Sequence, residues 1–441
     1  MAVQARILIV ARDDTLAGPL AEELDRLGWR TVTARGPYAA LAALADLPVE
    51  AVIIDLGTGG EESAGLSRRL KAASAPRRLP VMAITHGDKD PGADDFDFTL
   101  TAPVSAAQAA MRLEVLVRAA VAEEEFALRG ETFAQHGRQL DPPEADPGPL
   151  RVLAVGEPAP QFLALANLLV EAGAEITAAF TAYTAFDYLH ERRFDCVVLW
   201  AGDKAQEALS IAAGMRRNTR LYHVPTLLYL PRGAEISSQE AYEKGVSAVV
   251  CVDAAASETA RQIIELARDF RAQAAIRQAL EKARGSGLMD AATGLFTRDL
   301  FAAHLIRLAQ ASRARNRPLS VCVLKLAEEP EITLARADGR LDRAIAQIGS
   351  MIGRLVRVED TAARLAPEIF ALALPATGVA AARAAGERIA AVIGCTAFEA
   401  GGGRAPFVAH FDLGAAQVHA GESAARALEI AANQAMHRKA G

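Results

Sequence analysis

The chain has 441 residues, of which 51% are apolar and 23% charged, and its formal net charge is −6. This length exceeds one ordinary core and predicts about three domains of ~100–200 residues. A weakly acidic chain is a poor partner for nucleic-acid phosphates, and no apolar run reaches the ~20 residues of a membrane span. The four cysteines lie in or beside apolar segments, and the eight histidines form no metal-type pair. We therefore expect a cytoplasmic protein with reduced core cysteines, no metal site, no nucleic-acid partner and no membrane span.

Residues 1–127 alternate short β-branched runs with helical patterns, which predicts a parallel sheet covered on both faces. Four of these runs are ARILIVA, AVIID, LPVMAIT and FDFTLTAP. A last helix is expected from Ala106 to about Ala127, and five strands in this length indicate a doubly wound, flavodoxin-like domain. The following segment, 128–150, contains DPPEADPGP and is predicted to be a linker, because prolines and carboxylates bury little apolar surface.

The same rhythm restarts at Arg151 and repeats the first unit strand for strand, at a period of roughly 145 residues. Its apolar runs are RVLAVGE, FDCVVLWAG, VPTLLYLP and VSAVVCVD. This duplicated domain is predicted over 151–284 and includes a long helix from Ser257 to about Arg284. The remaining residues, 285–441, are predicted to form an α/β domain with a largely antiparallel sheet.

The ends of the first strands resemble those of response-regulator receiver domains, the CheY-like family. Asp55 ends the third strand, where that family has its phosphoacceptor, and Thr85 ends the fourth. The acidic pair that would hold Mg²⁺ is displaced to Asp13 and Asp14, and Ala102 stands at the family's lysine. The resemblance implies a receiver that keeps its acceptor and has lost part of its magnesium and phosphate site. Asp55 is then either a relic at the edge of a parallel sheet or a phosphorylated residue.

The second unit has lost all of these receiver positions. Gly156 and Glu157 occupy the places of the acidic pair, Trp200 replaces the acceptor, and Val252 replaces the lysine. The resemblance implies a pseudo-receiver that serves as a platform for interactions.

The third unit resembles the GGDEF domain of diguanylate cyclases. DAATGLFTRDLF at 290–301 is similar to the N-terminal motif of that family, and RLAPEIFALALP at 364–375 stands where the family has its signature hairpin. The whole chain is similar to the receiver–receiver–GGDEF arrangement of the PleD-type cyclases. The implied fold is two flavodoxin-like receiver domains followed by a nucleotidyl-cyclase-like α/β domain.

The residues that this family uses for catalysis are mostly replaced. Joining two GTP molecules needs a carboxylate-held metal pair, and backbone N–H groups that can approach the phosphates. Ala366 and Pro367 replace the glycine pair, and a proline has no N–H to donate. Glu368 keeps one metal-ligand position, but Ile369 replaces its neighbour, and Lys325 stands at the strand aspartate and would repel Mg²⁺. We therefore predict that the chain is not an enzyme and has no catalytic residues.

An Arg-x-x-Asp step precedes the hairpin at the spacing of the inhibitory site of these cyclases. The step is formed by Arg357 and Asp360, and a further family arginine falls on Arg388. A guanidinium can bind phosphate or guanine O6 and N7, while a carboxylate accepts guanine N–H groups. The resemblance implies that these residues bind cyclic di-GMP; the alternative is an exposed ion pair worth ~0–1 kcal/mol.

The resemblance implies a non-catalytic effector that requires no cofactor and reads cyclic di-GMP through the Arg-x-x-Asp step. Related degenerate members imply a homodimeric adaptor, at the cell pole, that couples the messenger to regulated proteolysis in the bacterial cell cycle. A second hypothesis is a phosphorylation-controlled response-regulator scaffold that acts through Asp55. A third hypothesis is a residual cyclase or a GTP-binding enzyme.

Overall fold

A computed structural model describes residues 5–12, 14–57, 60–86, 95–102, 104, 106–202, 205–233, 236–252, 255–283, 287–399 and 406–437. These residues form three five-stranded sheets. The chain divides into two compact units. One unit comprises Met1–Leu140, Arg284–Gly349 and Arg357–Gly441, and the other comprises Asp141–Ala283 and Ser350–Val356. Within the described part, no helix is long and apolar enough to cross a membrane.

The first sheet is parallel and has the strand order β2-β1-β3-β4-β5, the flavodoxin-like order. Its strands are β1 (Arg6–Val10), β2 (Arg30–Ala34), β3 (Ala51–Asp55), β4 (Val81–Thr85) and β5 (Phe98–Thr101). Its helices are α1 (Asp14–Arg26), α2 (Pro37–Asp46), α3 (Gly60–Ser74) and α4 (Ala106–Gln135). Both faces of the sheet bury apolar side chains, as the continuous β-branched runs predict.

The helix α4 is longer than its sequence pattern predicts. It continues past Ala127 to Gln135, into the segment for which a linker is predicted. The reason is tertiary, because the second half of α4 packs against α10 (Arg298–Ala314) of the C-terminal domain. There the ring of Phe133 lies edge-on to that of Phe296, with centroids 5.8 Å apart.

The second sheet repeats the first, with the equivalent order β10-β9-β8-β6-β7. Its strands are β6 (Arg151–Val155), β7 (Glu175–Ala179), β8 (Cys196–Trp200), β9 (Thr226–Leu230) and β10 (Ala248–Cys251). Its helices are α5 (Pro160–Glu171), α6 (Ala182–Glu191), α7 (Ala205–Arg217), α8 (Ser238–Glu243) and α9 (Ala256–Lys282). Each of the strands β6 to β9 begins 145 residues after its counterpart, which confirms the predicted period.

The end of the predicted linker is held against the second sheet by one side chain. The guanidinium of Arg271, on α9, donates hydrogen bonds to the carbonyl oxygens of Asp146 and Pro149, at 3.1 and 2.7 Å. It also bonds the carbonyl of Gly148 and forms an ion pair with Asp195. These contacts give the exposed backbone of residues 146–149 a fixed path.

The third sheet is antiparallel apart from one short edge strand, as predicted, and has the order β11-β13-β14-β12-β15. Its strands are β11 (Phe296–Thr297), β12 (Leu319–Leu326), β13 (Thr361–Ala366), β14 (Ile369–Pro375) and β15 (Phe411–Gln417). Its further helices are α11 (Pro330–Ala337), α12 (Leu341–Leu355), α13 (Val379–Gly394) and α14 (Ala424–His437). Thr297 caps α10, because its side chain accepts a hydrogen bond from the backbone N–H of Leu300.

The expectation that all four cysteines belong to the core is wrong for two of them. Cys196 and Cys322 are buried in sheet strands, but Cys251 and Cys395 are exposed. Cys251 ends an edge strand, and Cys395 is the cap residue that follows α13. An apolar neighbourhood in the sequence therefore does not bury a residue at the end of an element.

Candidate functional site

The Arg-x-x-Asp step forms a tight turn between α12 and β13. The backbone N–H of Arg357 donates to Oδ2 of Asp360 at 3.1 Å, and the backbone N–H of Asp360 donates to the carbonyl of Arg357 at 3.2 Å. The aspartate thus caps the turn that it belongs to. This arrangement orients its second carboxylate oxygen, Oδ1, away from the turn's own backbone.

Asp360 is buried, with only 7% of its surface exposed. Burial, followed by the charge of Glu359, raises the pKa of Asp360 to about 6. Its Oδ1 is buried and has no hydrogen-bond partner among the described residues. A buried acceptor without a donor is rare and costs roughly 1–3 kcal/mol, which makes this oxygen a candidate contact for a ligand.

The charges of Arg357 and Arg118 act on this carboxylate, and that of Arg388 acts on Arg357. Arg357 is half-buried, and its guanidinium forms no hydrogen bond or ion pair with another described residue. Burial lowers the pKa of Arg357, and the charges of Arg118 and Arg388 lower it further. Arg357 and Arg388, the two arginines predicted from the sequence, therefore act on each other electrostatically. A third arginine, Arg118, acts on Arg357 as well. The arrangement favours an anionic ligand.

The third cation, Arg118, comes from the middle of α4 and is not identified from the sequence. Its guanidinium donates to Glu359 at 3.1 Å and to Glu114, one helical turn away, at 3.1 Å. Burial acts to lower the pKa of Arg118, but Glu359 and Glu114 raise it above the usual range. No local signal reveals this residue, since 241 positions separate it from Glu359.

One expectation for the turn is therefore corrected. The sequence places Arg357 and Asp360 together on an exposed surface, either as a ligand site or as a solvated ion pair. In the structure the carboxylate is buried, and no ion pair joins the two side chains among the described residues. The turn packs against α4, whose Arg118 and Arg129 bond Glu359 and the backbone carbonyl of Asp360.

The hairpin tip carries an ion pair at the position for which the sequence resemblance implies a metal ligand. The tip is a two-residue turn of Pro367 and Glu368 between β13 and β14. Arg336, on α11, binds Glu368 through Nε and Nη2 at 2.7 and 2.6 Å, and also binds Glu328. Hydrogen bonds to Glu368 and Glu328 raise the pKa of Arg336 above its usual range. The one retained acidic position is therefore already neutralised.

The strand beside the tip carries the second change. Lys325 lies directly opposite Ile369 on β14 and Asp412 on β15. The lysine thus stands between the hairpin and the last strand, at the position for which the sequence resemblance implies an aspartate. Ala366, the last residue of β13, pairs with Ile369 across the turn. At the two hairpin positions named here, Ala366 and Ile369, the side chains are apolar and offer no ligand for a metal.

Asp55, the candidate phosphoacceptor of the first sheet, also has a hydrogen-bonding partner that was not predicted from the sequence. His86 Nε2 lies 2.7 Å from Oδ1 of Asp55, and the backbone N–H of Gly57 donates to the same oxygen at 3.2 Å. His86 directly follows β4, so its place beside Asp55 could have been inferred from the shared edge of neighbouring parallel strands. Asp13 and the side chain of Asp14 lie outside the described residues, so the expectation for magnesium stays a prediction.

The equivalent place in the second sheet is filled by an aromatic side chain. Trp200 stacks on Phe162, with ring centroids 5.9 Å apart. Two glycines make room for it: a Cβ at Gly156, which has φ +136°, or at Gly202 would lie 2.7 Å from the tryptophan. Trp200 offers no carboxylate, so this sheet edge has no phosphoacceptor at that position.

Comparison with known proteins agrees with the architecture of the third sheet. Residues 287–440 match the family model described as "Diguanylate cyclase, GGDEF domain". The C-terminal part of the chain is a GGDEF domain. The match ends at residue 287 on its N-terminal side and leaves the two N-terminal sheets unassigned. No curated protein matches the chain.

Several solved GGDEF structures are similar to this domain. The GGDEF domain of FimX from Pseudomonas aeruginosa is 23% identical, covers 34% of this chain and 91% of its own, and has a TM-score of 0.31. The diguanylate cyclase SiaD from the same organism, in complex with its activator SiaC, is 19% identical, covers 41% and 68%, and has a TM-score of 0.33. The GGDEF domain of DgcB from Caulobacter crescentus, in complex with c-di-GMP, is 21% identical, covers 33% and 84%, and has a TM-score of 0.31. At these TM-scores the three structures do not bear on the function of this chain.

Proposed function

We propose that this protein is a non-catalytic effector that binds cyclic di-GMP at the turn of Arg357 and Asp360. The observation that carries the proposal is the buried Oδ1 of Asp360, which has no hydrogen-bond partner among the described residues and belongs to the same turn as Arg357. Cyclic di-GMP offers both complements, because its guanines present N–H donors and its phosphates are anionic. Arg388 and Arg118 supply further cations at the same place.

The proposed division of contacts follows from this chemistry. Asp360 accepts N1–H and N2–H of one guanine, which satisfies the carboxylate oxygen that has no partner in the free protein. Arg357 and Arg388 contact phosphate oxygens or the O6 and N7 edge of guanine. GTP has one guanine and carries its phosphates on a flexible chain, so it presents this pattern poorly.

The proposed test is calorimetric titration of the full chain with cyclic di-GMP, and with GTP as a parallel ligand. Saturable binding of cyclic di-GMP with at most weak binding of GTP supports the effector. Tight binding of GTP, or heat only from dilution with cyclic di-GMP, overturns it.

The effector is proposed to have no cyclase activity. Lys325 in place of a metal ligand, Pro367 in the phosphate-binding turn and the pairing of Glu368 with Arg336 all oppose a bound metal pair. We expect no linear or cyclic guanine dinucleotide to form when the protein is incubated with GTP and Mg²⁺ and the products are separated chromatographically. The variant Glu368→Gln is the control, and a product that wild type makes and this variant does not would refute the expectation.

The downstream role is proposed from resemblance. The combination of a degenerate hairpin, an Arg-x-x-Asp turn and two receiver-like sheets resembles PopA, an effector related to the PleD-type cyclases. On this basis we propose a homodimeric adaptor that couples cyclic di-GMP to regulated proteolysis in the bacterial cell cycle, at the cell pole. Cyclic di-GMP would act by binding one arrangement of the chain more tightly than another.

A second candidate function acts through Asp55, which lies at the edge of a receiver-like sheet with His86 as its partner. In this proposal phosphorylation of Asp55 controls the oligomeric state, and the GGDEF domain is a passenger. An acyl-phosphate analogue would then change the sedimentation of wild type and leave Asp55→Asn unchanged. If both proteins sediment alike with and without the analogue, this second function is excluded.

The affinity for cyclic di-GMP is expected to fall as the pH is lowered. Only the ionised carboxylate accepts from guanine, and burial raises the pKa of Asp360 to about 6. Protonation should therefore weaken binding about tenfold between pH 7 and pH 5. Titrations at several pH values measure the slope, and Asp360→Asn should bind weakly with a flat profile. A wild-type affinity that does not change over this range contradicts the assignment of Asp360.

The contribution of Asp360 to stability depends on pH in the opposite direction to its contribution to affinity. The folded-state pKa of about 6 lies above the ordinary value of 3.8, so the folded chain binds this proton more tightly than the unfolded chain. The contribution of Asp360 to the free energy of unfolding therefore rises as the pH falls from about 6 towards 4. Lost affinity at pH 5 would thus not reflect destabilisation caused by Asp360.

A further inference from the structure

The turn that carries Asp360 is held from behind by a buried ion pair on α4. Arg129 Nη2 donates to the carbonyl of Asp360 at 3.0 Å and to the hydroxyl of Thr361 at 3.2 Å. Its Nε donates to Glu125 Oε1 at 2.7 Å. The hydroxyl of Thr361 donates to the same carboxylate oxygen at 2.7 Å. Arg129 therefore bonds both Asp360, the last residue of the turn, and Thr361, the first residue of β13, while Glu125 bonds Thr361.

This pair is isolated from solvent. The side chains of Arg129 and Glu125 are 3% and 2% exposed, and His304, which contacts Glu125 through Nε2 at 2.9 Å, is fully buried. Burial acts to raise the pKa of Glu125, but Arg129 and His304 lower it below its usual range, so the carboxylate stays ionised. Buried ion pairs of this kind often add specificity of geometry more than stability.

The geometry points to Glu125 and Arg129 as positioning residues that set the affinity of the turn for cyclic di-GMP. They bond the backbone carbonyl of Asp360 and the side chain of Thr361, and not the partnerless oxygen. They therefore fix the peptide on which Asp360 is mounted. This inference rests on the proposed function, and it adds that a helix of the first sheet prepares the ligand site of the GGDEF domain.

The physical reason is preorganisation. A turn whose carbonyl and flanking hydroxyl are unbonded samples several peptide orientations, and binding would then have to select one of them. A lysine at 129 keeps the charge but cannot bond Glu125, the carbonyl of Asp360 and the hydroxyl of Thr361 at once. A valine at 361 keeps the shape of the threonine and removes only the hydroxyl.

The test compares three variants of the full chain by calorimetry with cyclic di-GMP, thermal unfolding and amide hydrogen exchange of the turn. Thr361→Val and Arg129→Lys should bind about five- to tenfold more weakly and exchange the amides of residues 357–361 faster. The matched control is Thr132→Val, which removes another buried hydroxyl of the same cluster, 3.0 Å from His304 Nδ1 and not on the turn. Thr132→Val should bind within about twofold of wild type, even if its thermal midpoint falls as much as those of Thr361→Val and Arg129→Lys.

The outcomes separate this inference from the proposed function. Wild-type affinity in both Thr361→Val and Arg129→Lys overturns the positioning role, as does an equal loss in Thr132→Val. If wild type itself does not bind cyclic di-GMP, the proposed function fails. Amide hydrogen exchange of residues 357–361 then decides whether Glu125 and Arg129 fix the turn. Faster exchange in Thr361→Val than in Thr132→Val supports this role, and equal exchange refutes it.

Discussion

Replacing Arg357 by alanine is expected to weaken the binding of cyclic di-GMP by about ten- to a hundredfold. The guanidinium is half-buried and forms no bond with another described residue, so it is available to make a charge-assisted contact of ~1.5–3 kcal/mol with the ligand. Calorimetric titration of wild type and Arg357→Ala measures the change directly.

The same substitution should leave the fold intact. Burial lowers the pKa of Arg357, which means that its charged form is disfavoured in the folded chain, so its removal should not lower the thermal midpoint. The matched control is Arg343→Ala, which removes an exposed arginine of α12 and should bind like wild type. Unchanged affinity in Arg357→Ala, or an equal loss in both variants, would remove the turn from consideration as the ligand site.

Replacing Arg129 by alanine is expected to lower the free energy of unfolding by about 3–5 kcal/mol. The substitution leaves the carboxylate of Glu125 buried with only His304 and Thr361 as partners, and it also frees the carbonyl of Asp360. The loss should shrink towards pH 4, because burial raises the pKa of Glu125 once Arg129 is gone, and protonation relieves the buried charge.

The measurement can be confined to the unit that contains this pair. The chain has two tryptophans, Trp29 beside the first sheet and Trp200 in the second. In a Trp200→Phe background, urea unfolding followed by fluorescence reports on Trp29 alone. The control, Arg307→Ala, removes an arginine of α10 that pairs with an exposed Glu131, and should cost at most about 1 kcal/mol. Equal destabilisation by Arg129→Ala and Arg307→Ala would mean that the buried pair contributes no more than a surface contact.

The fold was predictable because its signals are local. Runs such as AVIID and CVVLW place strands, and their recurrence at a fixed period places a second sheet like the first. The hairpin and the Arg-x-x-Asp spacing are local as well, and the GGDEF domain predicted from them is supported by the family match over 287–440. The length of α4 was not predictable, since its second half is stabilised by packing against a helix far along the chain.

The candidate site was predictable in identity and not in environment. Its residues Arg357, Asp360 and Arg388 come from the resemblance to the inhibitory site of the cyclases, and their role as a ligand site stays a proposal. Burial of Asp360 and its cover by Arg118 and Arg129 arise because α4 crosses the turn, a contact between residues more than 230 positions apart. The pairing of Glu368 with Arg336 is of the same kind.

The sequence by itself determined the three sheets, the duplication, the residues that stand at the hairpin and the place of the Arg-x-x-Asp step. Each of these features depends on residues that are neighbours along the chain or that recur at a regular interval. Only the tertiary structure decided that Asp360 has an oxygen without a donor, that Asp55 is paired with His86, and that a helix of the first sheet holds the turn. The reason is that desolvation and hydrogen bonding depend on which elements, far apart in the sequence, pack against each other. Local sequence patterns do not specify these contacts.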